Sequence, residues 1–210
     1  MKIAKIAALA SAGLFALLAV LTTTGAAGNW NLAVADAISG IRLPWLTDWM
    51  GVVTYCGEWF VYVPLAALLL LLPRTRLRYG LPVAAVLAVS AGLNELVKLI
   101  FAIERPLGEA FIAVSGYGFP SGHAQNGAAF AGICACLVAF YHPALKKRVF
   151  AAAAGFILLI GFSRIYLNVH SFTDIAAGFS AGLCLCALGL LFCLRFHPAM
   201  KKKNNDDGDN

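Results

Sequence analysis

The chain has 210 residues, 61% of them hydrophobic and 12% charged, with a mean hydropathy of +0.81. Soluble domains are about half apolar and about a quarter charged, so this balance excludes an ordinary soluble fold and describes an integral membrane protein. The formal net charge of +6 comes from basic residues spread between apolar runs rather than gathered on one face, which excludes a nucleic-acid partner.

Six apolar segments reach the length of about 20 residues that a helix needs to cross a bilayer, near 4–25, 51–72, 80–103, 122–141, 149–167 and 174–194. The expected fold is all-α and polytopic: one six-helix membrane domain over 1–197, followed by a tail, 198–210, whose "KKKNNDDGDN" reads as disordered. The first segment, with Lys2, Lys5 and the small residues "TGAAG", also fits a cleavable secretory signal; its apolar run is long for one, and it is taken as an uncleaved span. Residues 29–50, "NWNLAVADAISGIRLPWLTDWM", carry Trp30, Trp45 and Trp49 among short apolar steps, the pattern of a segment lying at the membrane–water boundary.

Charge sets the orientation. Lys2, Lys5, Arg74, Arg76, Arg78, Lys146, Lys147, Arg148, Arg195 and Lys201 to Lys203 fall at alternate ends of the spans, 12 of the 16 basic residues. The positive-inside rule places these, and both termini, in the cytoplasm. The other four, Arg42, Lys98, Arg105 and Arg164, belong to the opposite side; Arg42 reads as a solvated charge. Among the six cysteines, Cys134/Cys136 and Cys184/Cys186 are two apart within apolar runs, so each pair points to opposite sides of its helix. With Cys193 they read as small buried hydrophobes, not as disulfides or metal ligands.

Three clusters hold the remaining unusual polar groups. In "KLIFAIERP", Lys98 precedes Arg105 by seven residues, two helical turns, so a helix running to Pro106 would put both cations on one face. A snorkelling Lys98 paired with Glu95 explains the first cation equally well. In "PSGH", Pro120, Ser121 and Gly122 open the fourth span and leave its first backbone N–H groups as an anion cradle. An ordinary cap at Ser121, with His123 facing water, is the plainer reading of that stretch alone. In "SRIYLNVHSFTD", His170 and Asp174 are four apart; if the sixth span begins early they share a face, and the carboxylate fixes the imidazole tautomer and frees the other nitrogen as a nucleophile. Asp174 also reads as a simple helix cap. Three cations, helix amides and a nucleophilic imidazole converging on one membrane face describe a phosphoryl-transfer site.

In order and internal spacing the three clusters resemble the motifs of the type 2 phosphatidic acid phosphatase superfamily: Lys-x6-Arg-Pro, Pro-Ser-Gly-His and Ser-Arg-x5-His-x3-Asp. The resemblance covers roughly residues 45–195 and implies a membrane lipid phosphatase without cofactor or metal. It implies His170 as the nucleophile, Asp174 as the group that orients it, and His123 as the acid and then the base. Lys98, Arg105, Ser121, the Gly122 amide and Arg164 would hold the phosphate. Asn168, where many relatives have glycine, and "SFT" after His170, where an aromatic–proline pair is common, depart from the pattern; they bear on substrate preference rather than on chemistry.

The implied substrate is a lipid phosphate at the outer boundary of a bacterial cytoplasmic (inner) membrane. Undecaprenyl pyrophosphate ranks first, ahead of phosphatidylglycerophosphate, phosphatidic acid and lipid A phosphate, and no obligatory protein partner is inferred. A lipid phosphotransferase of the same family is the alternative. A non-catalytic transporter is disfavoured, because substrate groups at the bilayer midplane and repeated halves are both missing from the sequence.

Overall fold

Helix α1 runs Lys2–Thr23, and a turn at Gly25, which adopts a left-handed φ of 73°, leads into the short α2, Gly28–Ser39. Pro44 opens α3, Pro44–Tyr55, in the first-turn position where its missing N–H costs nothing. After a break at Cys56–Glu58, α4 occupies Trp59–Leu71. A single turn, α5 (Pro73–Thr75), and a π-helical turn, Arg76–Gly80, feed α6, Leu81–Phe101. Then follow α7, Gly122–Tyr141, α8, Lys146–Tyr166, entered through the 3₁₀ turn Pro143–Leu145, and α9, Phe172–Phe196. This computed structural model describes residues 1–105, 110–196 and 200, and no strand occurs among them. The helix-closing role expected of Pro106 falls outside the described residues, as does the expected disordered tail, Met200 excepted.

Among the described residues, six stretches are long and apolar enough to cross a membrane: Lys2–Thr23, Pro44–Leu71, Pro73–Phe101, Gly122–Tyr141, Pro143–Tyr166 and Phe172–Phe196. The protein is an all-helical, multi-pass membrane protein. The second stretch differs from the sequence expectation, because its hydropathy continues through Cys56–Glu58 while its backbone breaks there.

Helix α7 is the centre of the bundle, packed against α6, α8 and α9. Without a hydrophobic driving force in lipid, helices associate through close backbone approach at small residues. Gly178 and Gly182, four apart on α9, supply it: a Cβ at Gly178 would stand 2.7 Å from the Ser121 carbonyl oxygen, and one at Gly182 would collide with that of Gln125. The α9 backbone is thereby set against the "PSGH" end of α7. Between α6 and α7 lies a buried polar ladder. Asn94 donates to Gln125 Oε1 (3.0 Å), Gln125 donates to the Ser90 carbonyl (2.8 Å), and the Ser90 hydroxyl donates to Asn126 Oδ1 (2.6 Å). Of the cysteines read as buried, Cys186 and Cys193 are so, while Cys134, Cys136 and Cys184 are half-buried, the first two packed against the edge of the core. All six are free thiols.

Candidate active site

The three sequence clusters meet at one end of the bundle, and each is held there by local structure. Helix α6 stops at Phe101, where Ala102 turns left-handed (φ 48°) and its N–H closes on the Lys98 carbonyl at 2.8 Å. Arg105 therefore lies outside the helix, and the expectation that it shares a helical face with Lys98 is wrong. The chain folds back instead, and Gly118 N–H donates to the Ile103 carbonyl at 2.7 Å. Lys98 sits 3.4 Å from Glu95 Oε1, the pairing the sequence suggested, yet its ammonium also reaches within 3.8 Å of the place a Gly122 Cβ would occupy. A single lysine thus bridges an exposed carboxylate and the first turn of α7.

At "PSGH", Ser121 is fully buried and is the N-cap, its hydroxyl accepting from Ala124 N–H at 3.5 Å, while its own N–H donates to the Asp174 carbonyl at 3.1 Å. His123 does not face water. Its side chain retains 15% exposure, and Nε2 lies 3.2 Å from Glu58 Oε1.

The third cluster is organised by a capping box. Ser171 N–H donates to Asp174 Oδ2 at 2.8 Å, and Asp174 N–H donates to the Ser171 hydroxyl at 3.2 Å, so the two residues cap α9 reciprocally. His170 precedes that cap and is not helical, which corrects the idea that His170 and Asp174 share a helix face. Asp174 instead meets the imidazole through the cap geometry, with Oδ2 3.6 Å from Nδ1. The serine after His170, a departure from the family pattern, is what makes the box. The other departure, Asn168, has φ 54°, a left-handed position that glycine fills most easily and asparagine tolerates. Both departures have backbone explanations.

Arg105 is held by three main-chain carbonyls: Nε donates to Gly116 O (3.1 Å), Nη2 to Ser115 O (2.9 Å) and Nη1 to Val169 O (2.8 Å). Nη1 also lies 3.1 Å from His170 Nε2. A guanidinium can only donate, so Nε2 is the acceptor and the ring proton is on Nδ1, toward Asp174. Burial pushes His170 down to about 4, assisted by Arg164 and Arg105 and opposed by Asp174, so the ring is neutral near neutral pH. Burial also holds Arg105 below its ordinary value, opposed by Asp174.

Arg164 is 3% exposed; Nη1 donates to Thr54 Oγ1 at 2.7 Å, and buried Nε has no hydrogen-bond partner among the described residues. Arg164, His170, Lys98 and Arg105 all lie near enough to His123 to act on it electrostatically. The structure thus assembles all eight residues singled out in the sequence: Lys98, Arg105, Ser121, Gly122, His123, Arg164, His170 and Asp174. Arg42 is not a solvated charge. Its Nε donates to the Tyr166 carbonyl at 3.0 Å, and its guanidinium lies over the Phe111 ring at 4.9 Å, tying α3's entry to the end of α8.

Thr54, in the last turn of α3, and Glu58, in the break before α4, were not anticipated. The one available signal was an acidic residue, Glu58, opening an apolar run at the end of the bundle opposite the basic clusters. Gly57 gives the break its closeness, since a Cβ there would stand 2.9 Å from His123 Cδ2. Chemically, the assembly offers an unprotonated ring nitrogen, a second imidazole beside a carboxylate, three cations and the start of a helix, the parts needed to transfer a phosphoryl group.

Comparison with known proteins agrees with this geometry. The PAP2 superfamily model matches residues 79–198. Phosphatidylglycerophosphatase B of Bacillus subtilis (strain 168) is 32% identical over 179 residues, spanning 81% of this chain and 87% of the relative. The crystal structure of a transmembrane PAP2 type phosphatidylglycerolphosphate phosphatase from Bacillus subtilis superposes with a TM-score of 0.83 at 30% identity, covering 90% of this chain and 96% of that one. Aquifex aeolicus LpxE superposes with a TM-score of 0.64 at 24% identity, over 77% of this chain and 95% of that one, a likeness of fold alone. With the three motifs brought to one end of a six-span bundle and relatives matched over most of its length, the chain belongs to the PAP2 superfamily and is a membrane-embedded hydrolase of lipid phosphates.

Proposed function

We propose that the protein dephosphorylates a membrane lipid in two displacements through a phosphohistidine. His170 Nε2 attacks phosphorus as the bond to the lipid oxygen breaks, and His123 gives its proton to that oxygen. Water then attacks the phosphohistidine, His123 takes the water proton, and inorganic phosphate leaves as the N–P bond breaks. Asp174 orients the ring and stabilises its charge. Lys98, Arg105, Ser121, the Gly122 amide and Arg164 bind the phosphate oxygens, Arg105 exchanging its contact with Nε2 for one with the substrate. No step uses a metal ion, so hydrolysis is expected to persist in excess chelator; activity that disappears in EDTA and returns with magnesium would overturn this point.

The observation that carries the reading is the state of His170: a neutral ring with its proton toward Asp174 and its other nitrogen against an arginine. The preferred substrate is phosphatidylglycerophosphate, supported by the names of the Bacillus relatives. That preference moves undecaprenyl pyrophosphate, first on the sequence reading, to second. The site is taken to open on the outer face of the cytoplasmic membrane, because the exposed Arg74, Arg76, Arg78, Lys146, Lys147 and Arg148 gather at the other end of the spans.

The test is phosphate release in detergent from phosphatidylglycerophosphate, undecaprenyl pyrophosphate and phosphatidic acid, with His170→Ala as control. Acid-free quenching should trap phosphate on His170. Trapping it on His123, or finding His170→Ala active, would refute the assignment.

A further inference from the structure

The family motifs account for three segments of the site, and the last turn of α3 with the break that follows it contributes a fourth. Within five residues, Thr54 accepts from buried Arg164 (2.7 Å), Gly57 gives the clearance that lets the backbone press on the His123 ring, and Glu58 sets a carboxylate oxygen 3.2 Å from His123 Nε2. The break is ordered by its own turns, with Gly57 N–H donating to the Thr54 carbonyl (2.9 Å) and Glu58 N–H to that of Tyr55 (3.1 Å). Two imidazoles therefore each face a carboxylate: His170 faces Asp174, and His123 faces Glu58.

We infer that Glu58 is a positioning residue for the acid–base step, a carboxylate that holds the protonated His123 ring in place for the leaving lipid oxygen. The inference rests on the proposed role of His123. Charge explains why such a group is needed. Within electrostatic reach of His123 are the neutral His170 ring from the turn before α9 and three cations, Lys98 from α6, Arg105 from the loop after it and Arg164 from α8. Each of those cations opposes a further positive charge on the ring at the moment it must carry one. Glu58 is, among the described residues, the carboxylate within ion-pair distance of it. As the proton passes to the leaving oxygen, the ion pair becomes a neutral imidazole beside a carboxylate. When water later gives its proton to His123, the pair forms again.

A purely structural Glu58 would slow every substrate alike, whereas a partner of the acid slows only those whose leaving group needs a proton. Rapid-quench measurement of phosphoenzyme formation should be made on wild type, Glu58→Gln, Glu58→Asp and His123→Ala, with a phospholipid phosphate monoester and with nitrophenyl phosphate. Expected for Glu58→Gln is a loss of about tenfold to about a hundredfold on the lipid and less than about twofold on nitrophenyl phosphate, part of the range general acid catalysis supplies. The alkaline limb of the lipid profile should move to lower pH, and Glu58→Asp should recover part of the lipid rate. Equal slowing of both substrates with an unmoved pH limb, or no slowing of either, would overturn the inference. A variant inactive on both substrates yet melting like wild type in detergent would also overturn it; if Glu58→Gln does not fold, Glu58→Asp must show the same selectivity or the inference falls. Leaving-group selectivity in His123→Ala but not in Glu58→Gln removes this inference alone; its absence from His123→Ala removes the assignment of the acid as well.

Discussion

The two ends of the bundle use the same residue types for opposite purposes. At one end Arg74, Arg76, Arg78, Lys146, Lys147, Arg148 and Arg195 are exposed. At the other, Arg105 is held by three carbonyls and an imidazole, Arg164 is buried on Thr54, and Arg42 is tied to the Tyr166 carbonyl. Burying a guanidinium is expensive unless its N–H groups are paired, so an arginine kept inside the fold marks a place where charge is wanted. An exposed one needs only the interface. Hydropathy reads both ends identically; the hydrogen bonds separate them.

The sharpest test of that contrast is His170→Ala, at the centre of the buried end. It should abolish phosphoenzyme formation with every substrate, nitrophenyl phosphate included, whereas His123→Ala should lose about 10²–10⁴-fold on the lipid and recover part of it on nitrophenyl phosphate. Equal rescue of both variants would reverse the roles. Next come the arginines themselves. Arg164→Ala should reduce kcat by about 10²–10³-fold, the usual effect of removing one preorganised donor to a developing charge. Arg76→Ala at the far end should leave hydrolysis within about twofold of wild type, since removing a solvent-exposed charge away from the reacting groups perturbs little. Comparable losses in the two would erase the distinction between the ends.

A pH experiment gives a smaller effect. A His170 lowered to about 4 is neutral at pH 5.5, whereas an ordinary imidazole at 6.5 would be about 90% protonated there. Phosphoenzyme formation from nitrophenyl phosphate should therefore lose little to His170 protonation between pH 7 and pH 5.5; a fall of about tenfold would mean the ring is not shielded. The same depression has a stability sign: the unfolded chain binds the proton first, so this group's contribution is lost as pH falls from about 6.5 through about 4.

The smallest effect is structural. Gly178→Ala should push α9 away from the Ser121 backbone and lower the melting temperature, by the equivalent of about 1–3 kcal/mol for overpacking, while Gly155→Ala, where a Cβ meets nothing within 4 Å, should be neutral. For sidedness, a membrane-impermeant thiol reagent on intact cells should label Ala110→Cys but not Ala144→Cys in a Cys56→Ser background. The reverse pattern would place the site in the cytoplasm.

Much of this protein is written locally. Apolar runs of spanning length, the alternation of basic clusters and the internal spacing of three motifs need no partner elsewhere in the chain to be read. The number of spans, their order and the eight polar residues that gather at one end of the bundle were accordingly legible from the sequence. Residue spacing misled where it was read as helical: Arg105 is seven residues from Lys98, but Ala102 ends the helix between them, and His170 stands just outside the cap that brings Asp174 to it. What only the tertiary structure decided is which side chains from distant segments meet. Thr54 and Arg164 are 110 residues apart, Glu58 reaches His123 across a helix break that hydropathy does not register, and Gly178 matters because a carbonyl of α7 lies against it. In lipid the hydrophobic pattern shows which segments enter the membrane but not how they pack. Packing follows from close backbone approach and buried hydrogen bonds, and those exist only once the helices have met.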